Sequence, residues 1–237
     1  MIVRFATLAT VFLAASLSLA ADKEVEDLLA KMRAKYSSAK TAHIITRATS
    51  SSLGKSAVTV DVVFQQKAKI RAKVFGLPFM KGKTWNFTSD GSKIASDDFT
   101  GHPQYSEFDP DHIPMPVNLE VMSFWDWERQ LSTEKGANME HSKFKLIANE
   151  AWDGKKWTVL EETAYGQSVF VRYFIDPKTY LIGRVIVYDI KRSVQRQEMV
   201  VKKIEINQKV NSRIFEVKGE PEEQRTVRGR VYKSIGG

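Results

Sequence analysis

The sequence predicts an α+β chain made mainly of antiparallel sheet. One clearly amphipathic helix stands near its start, about ten β-rich segments follow it, and turn signals between those segments read as hairpins. No internal repeat is visible. With 237 residues, 43% hydrophobic and 27% charged, the chain is long enough to bury a sizeable core of its own.

The first twenty residues stand apart. A short basic start, MIVR, precedes the apolar run FATLATVFLAASLSLA, and Ser18-Leu19-Ala20 places small residues at both cleavage-determining positions. This pattern predicts a secretory signal peptide cut after Ala20 and an exported mature protein. There is no cysteine, so disulfides, thiolate metal sites and cysteine catalysis are excluded, and no lipid-attachment cysteine follows the cleavage site. The formal charge of +8 falls by one with Arg4, 8 − 1 = +7, and its lysines and arginines are interleaved with acids. That spread describes a solvated exterior, with weak attraction to anionic lipid as the other option.

From Lys23 to Ala39 apolar residues recur at helical spacing: Val25, Leu28, Leu29, Met32, Tyr36 and Ala39. A one-sided stripe of this kind lays a helix on a sheet. Strands are expected at Thr41–Thr49, Ala57–Gln65 and Ile70–Phe75, then on either side of Ser89-Asp90-Gly91-Ser92, a hairpin signal. Further strands are read at Phe144–Asn149, Lys156–Glu162 and Glu198–Ile206, with a short edge strand at Arg213–Val217. Gly101 to Asn118 carries four of the seven prolines and reads as a loop. Leu119 to Leu131, apolar around most of its circumference, reads as a short helix that must be covered on several sides, as a lid or as a barrel plug. The tail 219–237 is expected to be loosely ordered.

The hairpin VFVRYFIDPKTYLIGRVIVYDI, Val169 to Ile190, departs from the alternation of a sheet with one wet face. Val169, Val171, Tyr173 and Ile175 point one way, yet Phe170 and Phe174 point the other. Either one face meets the core and the other a cavity wall or lid, or both faces meet protein.

Catalytic signals are weak. His102, Glu107, Asp109, Asp111 and His112 form the best acidic-histidine cluster, but their spacing matches no metal motif. His43 and His141 read as structural or solvated. No nucleophile elbow, zinc-protease helix or phosphate loop is present, and no cofactor and no nucleic-acid partner are expected.

The order of signal peptide, amphipathic helix, paired strands, Ser-Asp-Gly hairpin, proline-rich loop with a short helix, and then YFIDPKTYLIGRVIVYD and VVKKIEINQKVNSRIFEV resembles the LolA/LolB superfamily of bacterial lipoprotein carriers and lipoprotein-sorting proteins. The resemblance covers Ala21 to about Lys218. Its most characteristic pieces are the Asp-Pro-x-Thr hairpin and Ile206-Asn207 with Phe215. It implies an unclosed (half) β-barrel with an N-terminal helix and a helical lid over the concave face. It implies a soluble periplasmic carrier, not an enzyme, that holds lipid or lipoprotein acyl chains in an apolar cavity. Inner- and outer-membrane lipoprotein machinery, with transient contact at a membrane surface, would be its partners. The candidates for the cavity wall are Phe64, Phe75, Trp85, Phe87, Phe99, Phe124, Trp125, Trp127, Phe170 and Phe174. The lid latch of the carriers, an arginine on an early strand, would correspond to Arg71 or Lys69. The alternative is an envelope regulatory module that uses the same fold to bind a partner protein.

Overall fold

The computed structural model describes residues 23–51, 56–65, 69–80, 82–97, 100, 102–108, 142–164, 168–191 and 194–219. The signal peptide, most of the tail, the lid helix at 119–131, Asp109, Asp111, His112 and His141 lie outside them.

Eleven strands form one antiparallel sheet: β1 (Thr41–Ser50), β2 (Ala57–Gln65), β3 (Lys69–Phe75), β4 (Trp85–Asp90), β5 (Lys93–Asp97), β6 (Pro103–Glu107), β7 (Ser142–Trp152), β8 (Lys155–Ala164), β9 (Val169–Ile175), β10 (Ile182–Asp189) and β11 (Gln195–Ile206). The order across the sheet is β6-β5-β4-β3-β2-β1-β11-β10-β9-β8-β7, so the sheet is open, with β6 and β7 as its edges. This is the unclosed, α+β architecture the sequence predicted. Every neighbouring pair except β1–β11 is consecutive in the chain, and β1–β11 is the seam that joins the two halves.

The helix α1, residues 23–37, lays Val25, Leu28, Leu29, Met32 and Tyr36 on one sheet face, in a single core with Ala42, Ile44, Val58, Val60, Phe64, Ala72, Val74, Phe87, Tyr173, Val185 and Met199. The period-2 burial of β1 to β4 follows from this one-sided cover. The buried Tyr36 hydroxyl accepts the Ile182 N–H at 3.1 Å and ties α1 to the β9–β10 connection. Burial pushes this phenol up, far more than that hydrogen bond lowers it.

Two local readings are corrected. Pro103 to Glu107 is an edge strand rather than loop, because Pro103 occupies its first residue, where a missing N–H costs no ladder bond. Arg213–Val217 adds no strand. Ser212–Phe215 closes into a 3-10 turn capped by Asn211, whose side-chain oxygen accepts from the Arg213 N–H. This turn lies against β3 and β4.

Candidate functional site

The family-like motifs prove to be structural. Asp176 Oδ1 accepts the N–H groups of Lys178 and Thr179, and Asp176 O accepts that of Tyr180, so Asp-Pro-x-Thr shapes the β9–β10 connection. Asn207, at φ 60°, accepts the Lys40 N–H on its side chain and gives its own N–H to Thr41 O. It thereby fastens the end of β11 to the start of β1.

The cross-strand register assigns each side chain to a face. The set Leu160↔Tyr173↔Val185↔Met199↔Ala48↔Val58 is directly paired strand to strand and lies on the α1 face. Phe174 pairs with Val159 and Arg184, one residue out of step, and so lies on the other face. There it forms a second cluster with Trp157, Val159 and Ile186, packed by Ile147, Trp152 and Tyr188. Arg184 stacks over Trp152 at 4.9 Å and Phe174 at 5.0 Å, and its guanidinium is held by Glu198 at 2.6 Å. Arg172 lies over Phe170 and Tyr188, whose rings stack 4.9 Å apart, and bonds Glu161 at 2.9 Å. This explains the doubly apolar hairpin. Both faces meet protein: the second is roofed by tryptophans and by the flat, aromatic-stacking guanidinium groups that lysine could not supply.

The ten candidate wall residues therefore divide. Phe64, Trp85 and Phe87 are buried on the α1 face within the main core. Phe170 and Phe174 belong to the opposite face. Phe75 pairs with Thr59 at the end of β3 and is 39% exposed. Phe99, Phe124, Trp125 and Trp127 lie outside the described residues. Arg71 and Lys69 alternate with the core residues Ile70 and Ala72, which turns both away from α1. Arg71 is in line with Thr88, Ala95 and Tyr105 across β4 to β6, and a Cβ at Gly219 would lie 2.2 Å from the Tyr105 ring, so the end of the described chain returns to β6.

On the α1 face the apolar surface extends to the β7 edge. Phe144, Leu146 and Val171 pack against the main core there, yet each is only half-buried. Phe144 pairs with Glu162, Leu146 with Leu160, and Val171 with Glu162. A polar pair sits among them: the Tyr173 hydroxyl donates to Glu162 Oε2 at 2.5 Å. Burial first, and then the Glu162 carboxylate, push this phenol well above its ordinary value. Further in, at the bulge between Ile45 and Thr46, the buried Thr46 hydroxyl has no hydrogen-bond partner. These groups offer apolar wall and a few polar atoms, with no nucleophile–base pair among them. Sequence reasoning missed Phe144 and Leu146, although the alternation Lys143-Phe144-Lys145-Leu146 signals one apolar face.

Among the described residues no group of His, Asp and Glu could hold a metal ion. Within the acidic-histidine cluster, His102 Nδ1 is 2.6 Å from Thr100 Oγ1. His43 does not stand alone. It contacts Asp61 at 2.9 Å and Glu205 at 3.6 Å on the face away from α1.

No family model and no curated protein matches the chain. Solved structures do. An uncharacterized conserved protein from Thermus thermophilus aligns with a TM-score of 0.52 at 8% identity, over 82% of this chain and 94% of that one. MucB aligns with a TM-score of 0.48 at 12% identity; 84% of this chain is covered, but it spans only 64% of the MucB chain. A LolA superfamily protein from Nitrosomonas europaea aligns with a TM-score of 0.38 at 12% identity, over 81% and 97%. At 8% identity the likeness to the Thermus thermophilus protein is one of fold alone, and the fold of this chain is an open antiparallel sheet bearing a helix on its apolar face.

Proposed function

We propose that the protein is a non-catalytic periplasmic carrier that shelters lipid or lipoprotein acyl chains on the α1 face of its open sheet. The observation that supports it is an apolar face broader than the cover the described residues give it, running out to half-buried Phe144, Leu146 and Val171 beside the edge strand β7. Each methylene taken from water contributes roughly 0.8 kcal/mol, so a long acyl chain needs an apolar surface of this kind to cross an aqueous compartment. An open sheet, unlike a closed barrel, leaves a side through which such a chain can enter and leave. Phe144, Leu146 and Val171 would form the wall that meets the acyl chain, while Phe64, Trp85 and Phe87 stay buried in the main core.

The test is mass spectrometry of lipids extracted from natively purified protein, with Leu146→Glu as the polarised variant. Acyl chains in the parent that are lost from Leu146→Glu support the carrier. A parent free of lipid overturns it. In that case β6 and β7, the edges of the sheet among the described residues, favour a module that adds a partner's strand to its sheet, as in an envelope regulator.

A further inference from the structure

The large hydrophobic side chains exposed among the described residues are Phe75 (39%), Phe79 (50%), Ile190 (42%) and Val194 (55%). They are far apart in sequence, yet the strand register brings them to one end of the sheet. Phe75 closes β3 and pairs with Thr59, near the start of β2; that start pairs with the end of β1, which pairs with the start of β11 beside Val194. The connections at this end are β1–β2, β3–β4, β5–β6, β8–β9 and β10–β11. The opposite end, with the β2–β3, β4–β5, β7–β8 and β9–β10 turns, presents Asp90, Ser92, Asp153, Lys178 and Thr179 to water.

Both apolar tips are rigidly held. In the β3–β4 connection Leu77 and Met80 are buried in the core, and Met80 N–H bonds Leu77 O at 3.0 Å. Phe79, between these two anchors, is turned outward. Gly76, at φ +81°, makes the turn possible, since a Cβ there would lie 2.6 Å from Ala57 O. In the β10–β11 connection Asp189 N–H bonds Val194 O, Ile190 N–H bonds Ser168 O, and the Asp189 carboxylate takes the Lys191 N–H and the Arg196 guanidinium. Among the described residues at this end, the carboxylates of Asp97 and Asp189 are engaged within the protein, by Asn86 and by Arg196. The side chains of Lys83 and Lys191 are exposed, with one Lys83 Nζ proton given to Thr100 O at 3.0 Å.

We infer that this end of the sheet is a membrane-docking surface, which seats Phe79, Phe75, Ile190 and Val194 in the interfacial layer of an anionic bilayer while Lys83 and Lys191 meet its phosphate headgroups. A broad surface such as a bilayer fits because the nearest strands of the two tips, β3 and β11, lie three strand spacings apart, about 14 Å along the sheet, so the apolar side chains are spread across this end rather than gathered at one point. Apolar side chains flanked by lysines match the depth profile of a bilayer interface. The inference stands on register and exposure, independently of what the α1 face holds.

The cysteine-free chain allows a direct test. Phe79→Cys, Val194→Cys and, at the opposite end, Lys178→Cys are each labelled with an environment-sensitive fluorophore and mixed with vesicles of phosphatidylcholine, with or without phosphatidylglycerol. Blue-shifted emission is expected at positions 79 and 194, stronger with phosphatidylglycerol, and none at 178. The unlabelled double variant Phe79→Ser/Val194→Ser should keep the parental thermal midpoint and lose at least about tenfold in vesicle partitioning. A parent that ignores anionic vesicles, a double variant that binds like the parent, or an equal shift at 178 overturns the inference. Copurified acyl chains without vesicle binding would defeat docking and leave the carrier reading intact; vesicle binding by a lipid-free protein would do the reverse.

Discussion

At the scale of single residues, close approach and hydrogen-bond supply decide what the fold tolerates. Gly183 lies under the Trp157 ring, where an added Cβ would come within 2.2 Å of the ring carbons. Gly183→Ala must lift Trp157 from its place, at a cost of about 1–3 kcal/mol. A lower thermal midpoint and red-shifted tryptophan emission are the expected readouts. Asp90 shows the electrostatic counterpart. Burial tends to raise its pKa, but the N–H groups of Lys93 and Ser92, the Ser92 hydroxyl and the Lys93 charge outweigh that and hold the carboxyl below the ordinary range. A carboxyl depressed in the folded state stabilises fully above its unfolded value, near 3.9, and that contribution disappears as pH falls through the folded value. Asp90→Ala should therefore be about 1 kcal/mol less stable than the parent at neutral pH, and the gap should close below about pH 4. Denaturant titrations across acidic pH measure it.

At the scale of elements, packing rather than propensity holds α1. Its stripe runs through Met32, which is wholly buried, and Ser37 and Ser38 turn their hydroxyls back onto Ala34 O and Lys35 O where the helix ends. Met32→Ala should cost about 2–5 kcal/mol by the cavity it leaves, read as a lowered midpoint in chemical unfolding. This element was fully legible in the sequence, because six apolar residues at helical spacing admit one face. The Ser-Asp-Gly hairpin was legible too, since Asp90 supplies the turn's acceptor. β6 was hidden by Pro103, which argues against a strand unless the strand is an edge, and edges are a property of the whole sheet. The face of Phe170 and Phe174 was equally hidden. Where both sides of a strand are apolar, period-2 reasoning shows that they oppose Tyr173 but not which side is the core.

At the scale of the molecule, the two faces of the sheet are covered differently. The α1 face buries the main core and leaves Leu146 and Val171 half-exposed; over β8 to β10 the other face is covered by Trp152, Trp157 and Arg184. Paired variants should separate them. Phe174→Ser should lower stability by several kcal/mol through loss of a buried aromatic, roughly 3–5 for full truncation, and leave copurified lipid unchanged in the protein that folds. Leu146→Glu should do the opposite, with lipid lost and the midpoint little changed; thermal unfolding and lipid extraction on one preparation give both answers. The division of faces could not be read in advance, because it depends on which strand each one pairs with, and the decisive pair, β1 with β11, joins residues roughly 150 positions apart.

That seam has a bearing on biogenesis. Among the described strands, the first to be synthesised has its mid-sheet neighbour in the last, and Asn207 secures the junction only once β11 is laid down. Until then the one core to which both halves contribute is incomplete. Full cooperative stability is therefore expected only when β11 has paired with β1, late in the emergence of the polypeptide.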